Sequence, residues 1–155
     1  MKVARKILVL PTRRLRIAAI LVLFTSVAPA VQASEPPYAR VCRTAGGQPW
    51  TVDFSGGNDL MLCRFGVAAI GAADFAELKW NGRETRSVRE FLASTPARSA
   101  DAACANHGGA TQTATDSDGV GLQLCDFSDG SVVEVETLAR GSSAASNASL
   151  VHALR

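Results

Sequence analysis

Four cysteines, two histidines and a run of acidic residues are the side chains of this chain with reactive potential. Cys42, Cys63, Cys104 and Cys125 could bridge in pairs, ligate a metal or supply a nucleophile. A zinc scaffold wants four thiolate or imidazole ligands, commonly beginning with a Cys-x-x-Cys knuckle. No such knuckle is present, and His107 and His152 are the only imidazoles, so no metal site is expected. The cysteines instead form two equally spaced pairs, each 21 residues apart, which suits a scaffold better than a lone activated thiolate.

The remaining candidates are weaker. Asp116, Asp118, Asp126 and Asp129 cluster in the second half, and "DSDG" is similar to part of a calcium loop. An EF-hand loop requires glutamate at its twelfth position, which counted from Asp116 is Phe127. Asp and Gly are also what tight turns select for their own backbone, and that is the reading adopted. His107 could act as a general base, but no serine or cysteine nucleophile with a supporting carboxylate lies near it in sequence. Glu134 and Glu136 alternate on a predicted strand and would share one face, most simply a solvated one. No catalytic residue and no cofactor is therefore expected. Trp50 and Trp80, with Phe54 and Phe65, read as packing residues rather than a binding platform.

The elements that must position these residues occur twice. Laying 42–65 over 104–127 without a gap aligns "CRTAGGQPWTVDFSGGNDLMLCRF" with "CANHGGATQTATDSDGVGLQLCDF", and ten of 24 positions are identical. We read an internal duplication. Tyr38, Val41, Cys42 and Ala45 recur at i, i+3, i+4 and i+7, one stripe of a short helix, as do Ala100, Ala103, Cys104 and His107. Gly46 or Gly108 would end each helix in a left-handed conformation, followed by the structural glycines Gly47 and Gly109. "QPWTVDF" and "ATQTAT" predict first strands, turns follow at 55–59 and 116–119, and "DLMLCRF" and "VGLQLCDF" predict second strands. "AADFAELKW" and "SVVEVETL" are expected as third strands, the latter more clearly.

The predicted fold is α+β: two tandem small units, each a short helix followed by a two- to three-stranded antiparallel sheet. A helix lying on its hairpin would bring Cys42 to Cys63 and Cys104 to Cys125, with cross-unit bridges or a zinc site as the alternatives. Closing about 22 residues would stabilise each unit by roughly 3 kcal/mol in the chain-entropy view, which matters for units too small to hold a large core. The domain plan is a signal peptide over 1–33, a first unit over 34–82, a linker helix within 83–97, a second unit over 98–141 and a flexible tail over 142–155. In the linker, Val88, Phe91 and Leu92 would face inward. The tail carries Asn147-Ala-Ser, which matches a glycosylation acceptor.

The signal-peptide reading rests on Lys2, Arg5, Lys6, Arg13, Arg14 and Arg16, then an apolar run from Ile17, then small residues before a cut at Ser34. The run is short for a membrane span. The whole chain carries a net charge of +2, but six of its 16 cations lie in the leader, which leaves ten against fourteen acidic residues. A chain of net charge −4 lacks the cationic footprint that nucleic-acid binding requires. Export and four cysteines together fit an oxidising compartment.

The pattern resembles a small bacterial group, domain of unknown function 333, often labelled as haemolysins. The second unit carries the resemblance from Cys104 through "CDFSDGSVVEVETLARG" to Gly141, and the first from Cys42 to Phe65, after which "GVAAIG" replaces Asp-Gly-Ser. Members of the group commonly carry two more cysteines, at positions occupied here by Val133 and Ser143. Their joint loss implies that they formed one bridge, and the resemblance thus implies Cys42–Cys63 and Cys104–Cys125 for those that remain. The expected function is that of an exported, non-catalytic periplasmic or secreted protein that binds an unknown protein or envelope component. It would need no nucleic acid and no stable membrane insertion after signal cleavage. Inhibition of a hydrolase through the loops at 55–59 and 116–119 is the alternative, followed by a haemolysin-like activity and, last, a hydrolase.

Overall fold

The computed structural model describes residues 35–54 and 57–155. The expected leader over 1–33 and its cut before Ser34 lie outside the described residues, as do Ser55 and Gly56 of the 55–59 loop.

The chain begins with helix α1 (Pro37–Thr44), whose stripe of Ala39 and Cys42 is buried. Two strands follow as a hairpin, β1 (Gln48–Phe54) and β2 (Asn58–Phe65), paired from Gln48 opposite Arg64 to Phe54 opposite Asn58. A short β3 (Ala68–Gly71) leads directly into α2 (Ala72–Asn81). After α3 (Arg86–Ala93) the pattern recurs as α4 (Ala100–Asn106), β4 (Ala110–Asp116), β5 (Gly121–Asp126), β6 (Val132–Glu134) and α5 (Val135–Arg140). A 3₁₀ turn (Ala145–Asn147) and α6 (Ala148–Leu154) complete the chain.

All six strands form one antiparallel closed barrel in the order β1-β2-β3-β6-β5-β4. Two seams join the halves: Ile70 opposite Val133, and Val52 to Phe54 opposite Asp116 to Ala114. This corrects the expectation that each unit carries its own two- to three-stranded sheet. Each three-stranded sheet would leave apolar faces and unpaired strand edges, and closure removes both. Val52, Leu62, Ala69, Ala114, Leu124 and Val132 fill the barrel interior. The alternate residues point outward under the helices, so that Cys63, Ile70, Val133 and Cys125 form one buried row across four strands. Phe75, Phe91, Leu138 and Leu150 cover that row from α2, α3, α5 and α6.

Three local expectations are corrected. "AADFAELKW" is helix α2, not a third strand, because Ala72, Phe75 and Ala76 recur at helical spacing and are buried together. "SVVEVETL" is a strand only as far as Glu134, whose carboxylate accepts the N–H groups of Glu136 and Thr137 and so caps α5. The segment 142–155 is no mobile tail: Asn147, Leu150 and Leu154 are buried, and Asn147 Nδ2 donates to the carbonyls of Thr137 and Gly141. With its amide buried and used in this way, Asn147 cannot serve as a glycosylation acceptor in the folded chain. Helix α3 does place Val88 and Phe91 in the core, with Leu92 half-buried, but it is an integral layer rather than a spacer.

Candidate functional site

The sulfur chemistry is structural. Cys42 is bridged to Cys63 and Cys104 to Cys125, with Cα atoms 5.6 and 5.4 Å apart, and all four residues are fully buried. The bridges also explain the doubled Cys-x-x-x-Gly-Gly. Gly46 and Gly108 have φ of +84° and +71°, the conformation in which the chain leaves each helix. A Cβ on Gly47 would stand 2.7 Å from Cys63 Sγ and 2.9 Å from Cys42 Sγ, and one on Gly109 would land on Cys125 Sγ. The first glycine therefore turns the chain, and the second leaves room for the bridge.

Two of the acidic candidates, Asp116 and Asp129, serve the backbone. Asp116 Oδ1 accepts the N–H groups of Asp118 and Val120 at 3.0 and 2.8 Å, which shapes the β4–β5 turn. Asp129 ties the β5–β6 turn to α3. Its Oδ2 accepts the Arg86 N–H at 2.8 Å and its Oδ1 the Ser131 N–H at 3.1 Å, while Ser131 Oγ accepts the Ser87 N–H. Burial alone would raise the Asp129 carboxyl, but hydrogen bonds from the Ser131 hydroxyl and these N–H groups outweigh it and hold it below its usual range. Among the described residues, no three His, Cys, Asp or Glu side chains are grouped so as to hold a metal ion. Glu134 and Glu136 do not share a strand face. Glu134 is the cap of α5, its carboxyl raised by burial against the opposing hydrogen bonds from Thr137 and Glu136 and the nearby Arg140 charge, and Glu136 is exposed on the helix.

His107 sits at the end of α4 with Nδ1 3.0 Å from Glu90 Oε2 of α3. Arg86 joins the same cluster, its guanidinium donating to the His107 carbonyl and lying over the Phe127 ring. No serine or cysteine is hydrogen-bonded to the imidazole among the described residues. The contact fastens α3 to α4.

The surface feature with binding chemistry lies elsewhere. A groove of about 530 Å³ runs between α1 and the last turn of α2. Helix α1 supplies Pro37, Arg40 and Val41, on the stripe adjoining the buried Ala39 and Cys42, its C-terminal cap supplies Ala45, and α2 supplies Lys79 and Trp80. Trp80 stands one turn beyond the buried Ala76, past the edge of the core, and is 55% exposed. The expectation that Trp80 packs is thereby corrected, whereas Phe65 is buried against Phe75 and Trp50 and Phe54 pack against the barrel interior. Among the described residues, the second half has no counterpart of the Trp80 wall. There α5 ends at Arg140, and the extended segment around Ala97, whose N–H donates to the Ala139 carbonyl, lies against α4 instead. Nothing in the types and spacing of Arg40, Lys79 and Trp80 marks them in sequence. Reading α2 as a helix would have placed Trp80 in line with Ala76.

No curated protein and no solved structure matches the chain. The groove residues lie outside residues 96–142, the region of the family match. Over residues 96–142, from Pro96 before α4 to Ser142 after α5, a stretch with one of the two Cys-x-x-x-Gly-Gly segments, the chain is similar to the family described as Domain of unknown function (DUF333).

Proposed function

We propose that this is an exported, non-catalytic protein of the bacterial cell envelope, descended from two tandem copies of one module, that binds a partner protein through the α1–α2 groove. The observation that carries the reading is Trp80. An exposed tryptophan beside Val41 and Ala45, on a helix pair backed by a disulfide, is the type of rigid aromatic anchor on which binding energy concentrates. Two disulfides suit an oxidising compartment, and the basic, then apolar, N-terminal sequence suits export. Support for two copies comes from the aligned sequence and from matching bridges of 21-residue separation.

The test expresses the full sequence with an affinity tag after Arg155 and captures partners from envelope extract. Recovery of one partner, lost with Trp80→Ala and kept with Val120→Ser, is the expected result. Capture indifferent to Trp80 would remove the groove from the account, and intact mass should place the first residue of the exported form at Ser34. A second reading, inhibition of a hydrolase, draws on the β4–β5 turn, which Asp116 fixes and next to which Val120 is 60% exposed. Capture of a hydrolase that depends on Val120 instead of Trp80 would favour it.

A further inference from the structure

Building on the binding role of the α1–α2 groove, we infer that its ligand is an acidic segment of the partner protein: an apolar side chain seated against Trp80 and Val41, flanked by carboxylates that meet Arg40 and Lys79. The charges of the molecule point this way. The described residues hold fourteen acidic side chains and ten cations. Arg43, Arg83, Arg86, Arg89 and Arg140 each lie within 4 Å of a carboxylate of their own chain. Arg64 bonds Gln48 and lies over Trp50. The remaining four cations, Arg40, Lys79, Arg98 and Arg155, have no carboxylate partner among the described residues. Of these, Arg40 and Lys79, the latter also over the Phe75 ring, line the groove, and no acidic residue lines it between them.

On a surface with an acidic excess, two cations without a carboxylate partner beside the exposed Trp80 form a local site of opposite sign. At physiological ionic strength the screening length is about 8 Å, so a bound carboxylate senses these neighbours far more than the distant net charge. Arginine presents a fork suited to a carboxylate, and lysine a point charge. The groove volume of about 530 Å³ lies within the range of ordinary ligand sites, about 300–1,000 Å³.

Fluorescence polarisation with two labelled hexapeptides tests this, Glu-Asp-Leu-Leu-Asp-Glu and its uncharged counterpart Gln-Asn-Leu-Leu-Asn-Gln, against the exported protein. The acidic peptide should bind at least tenfold more tightly, lose that advantage in 0.5 M salt (about a 4 Å screening length), and lose at least tenfold in Arg40→Glu/Lys79→Glu. The double variant Arg98→Glu/Arg155→Glu has the same net charge with the groove intact, and it should bind as the parent does. Circular dichroism melts of both doubles establish that the fold is retained. Equal binding of the two peptides overturns acidic selectivity and leaves the groove as a binding surface. So does binding of neither peptide while the envelope partner is still captured through Trp80. Adsorption to phosphatidylglycerol vesicles in place of the acidic peptide would make the ligand a membrane surface and overturn the inference. Loss of peptide binding together with capture indifferent to Trp80 would remove both the inference and the reading beneath it.

Discussion

Asp74 and Thr137 occupy the third position of α2 and of α5, and each accepts an N–H from the third strand of the opposite half. Asp74 Oδ2 takes the Val132 N–H at 2.9 Å, and Thr137 Oγ1 takes the Ala69 N–H at 3.0 Å. Ala69 and Val132 each precede a residue of the β3–β6 seam, Ile70 and Val133. The barrel is therefore closed there by few strand bonds and by two reciprocal side-chain clamps, one ionisable and one not.

The ionisable clamp makes stability depend on pH. Burial pushes the Asp74 carboxyl from 3.8 up to about 6, with the Val132 N–H and the hydroxyls of Thr85 and Ser87 acting the other way. Between about pH 4 and 6 the folded protein then holds a proton that the unfolded chain has released. The stabilisation from this group is thus full below pH 4 and is lost as pH rises through 6. Glu134, also raised, has the same sign, and Asp129, lowered, acts only at more acidic pH. A two-unit shift corresponds to about 3 kcal/mol at most. Asp74→Asn keeps an acceptor for Val132, so urea titrations should show its midpoint raised at pH 7.5 and its slope between pH 4 and 6 flattened. An unchanged slope would place the titration elsewhere.

The glycine pair separates two physical effects. Gly47→Ala and Gly109→Ala press a methyl onto a buried bridge, and at Gly47 onto the Phe65 ring as well; overpacking of this type costs about 1–3 kcal/mol. Gly46→Ala meets no atom within 4 Å and suffers only the left-handed backbone, about 1–2 kcal/mol. Removing the sulfurs distinguishes them. In the Cys42→Ala/Cys63→Ala background the penalty of Gly47→Ala should shrink while that of Gly46→Ala persists, as read from denaturation midpoints.

How far the sequence carried the fold follows from the range of each interaction. Helix α1, both hairpins and the turn at 116–119 are set by neighbours within about 20 residues, and "CRTAGG" and "CANHGG" marked their junctions. The sequence of α2 resembles a strand because Leu78 and Trp80 alternate with Glu77 and Lys79, and only burial of Phe75 with Ala76 shows the helical face. The seams at Ile70–Val133 and Val52–Asp116 join residues more than 60 apart through very few pairs, so no local pattern announces them. The groove was illegible for the same reason: it exists only because α2 continues a turn past Ala76, next to α1.

A shared barrel also predicts how the molecule unfolds. Removing the second bridge with Cys104→Ala/Cys125→Ala should cost roughly 3 kcal/mol, given the loop it closes. Both tryptophans, Trp50 and Trp80, lie in the first half, away from that bridge. Their fluorescence should nevertheless lose its native signal at the same reduced urea concentration as the far-ultraviolet dichroism, in one transition. Independent units would leave the tryptophan midpoint where it was.

The C-terminal segment gives the sharpest contrast between composition and structure. "GSSAASNAS" is a low-complexity run, yet Asn147 within it is fully buried and bridges the carbonyls of Thr137 and Gly141 at 2.9 and 2.8 Å. Its amide thereby holds the end of α5 to the start of α6, whose Leu150 and Leu154 cover the core. Asn147→Ala would strand two buried carbonyls, at about 1–3 kcal/mol each where no water replaces the amide. Hydrogen exchange should then accelerate through 145–154 well before the barrel strands, and limited proteolysis should cut there first. Asn147→Asp keeps the size but loses the donor, so it should resemble the alanine variant. If Asn147→Asp behaved as the parent, packing alone, and not the two bonds, would be holding α6 in place.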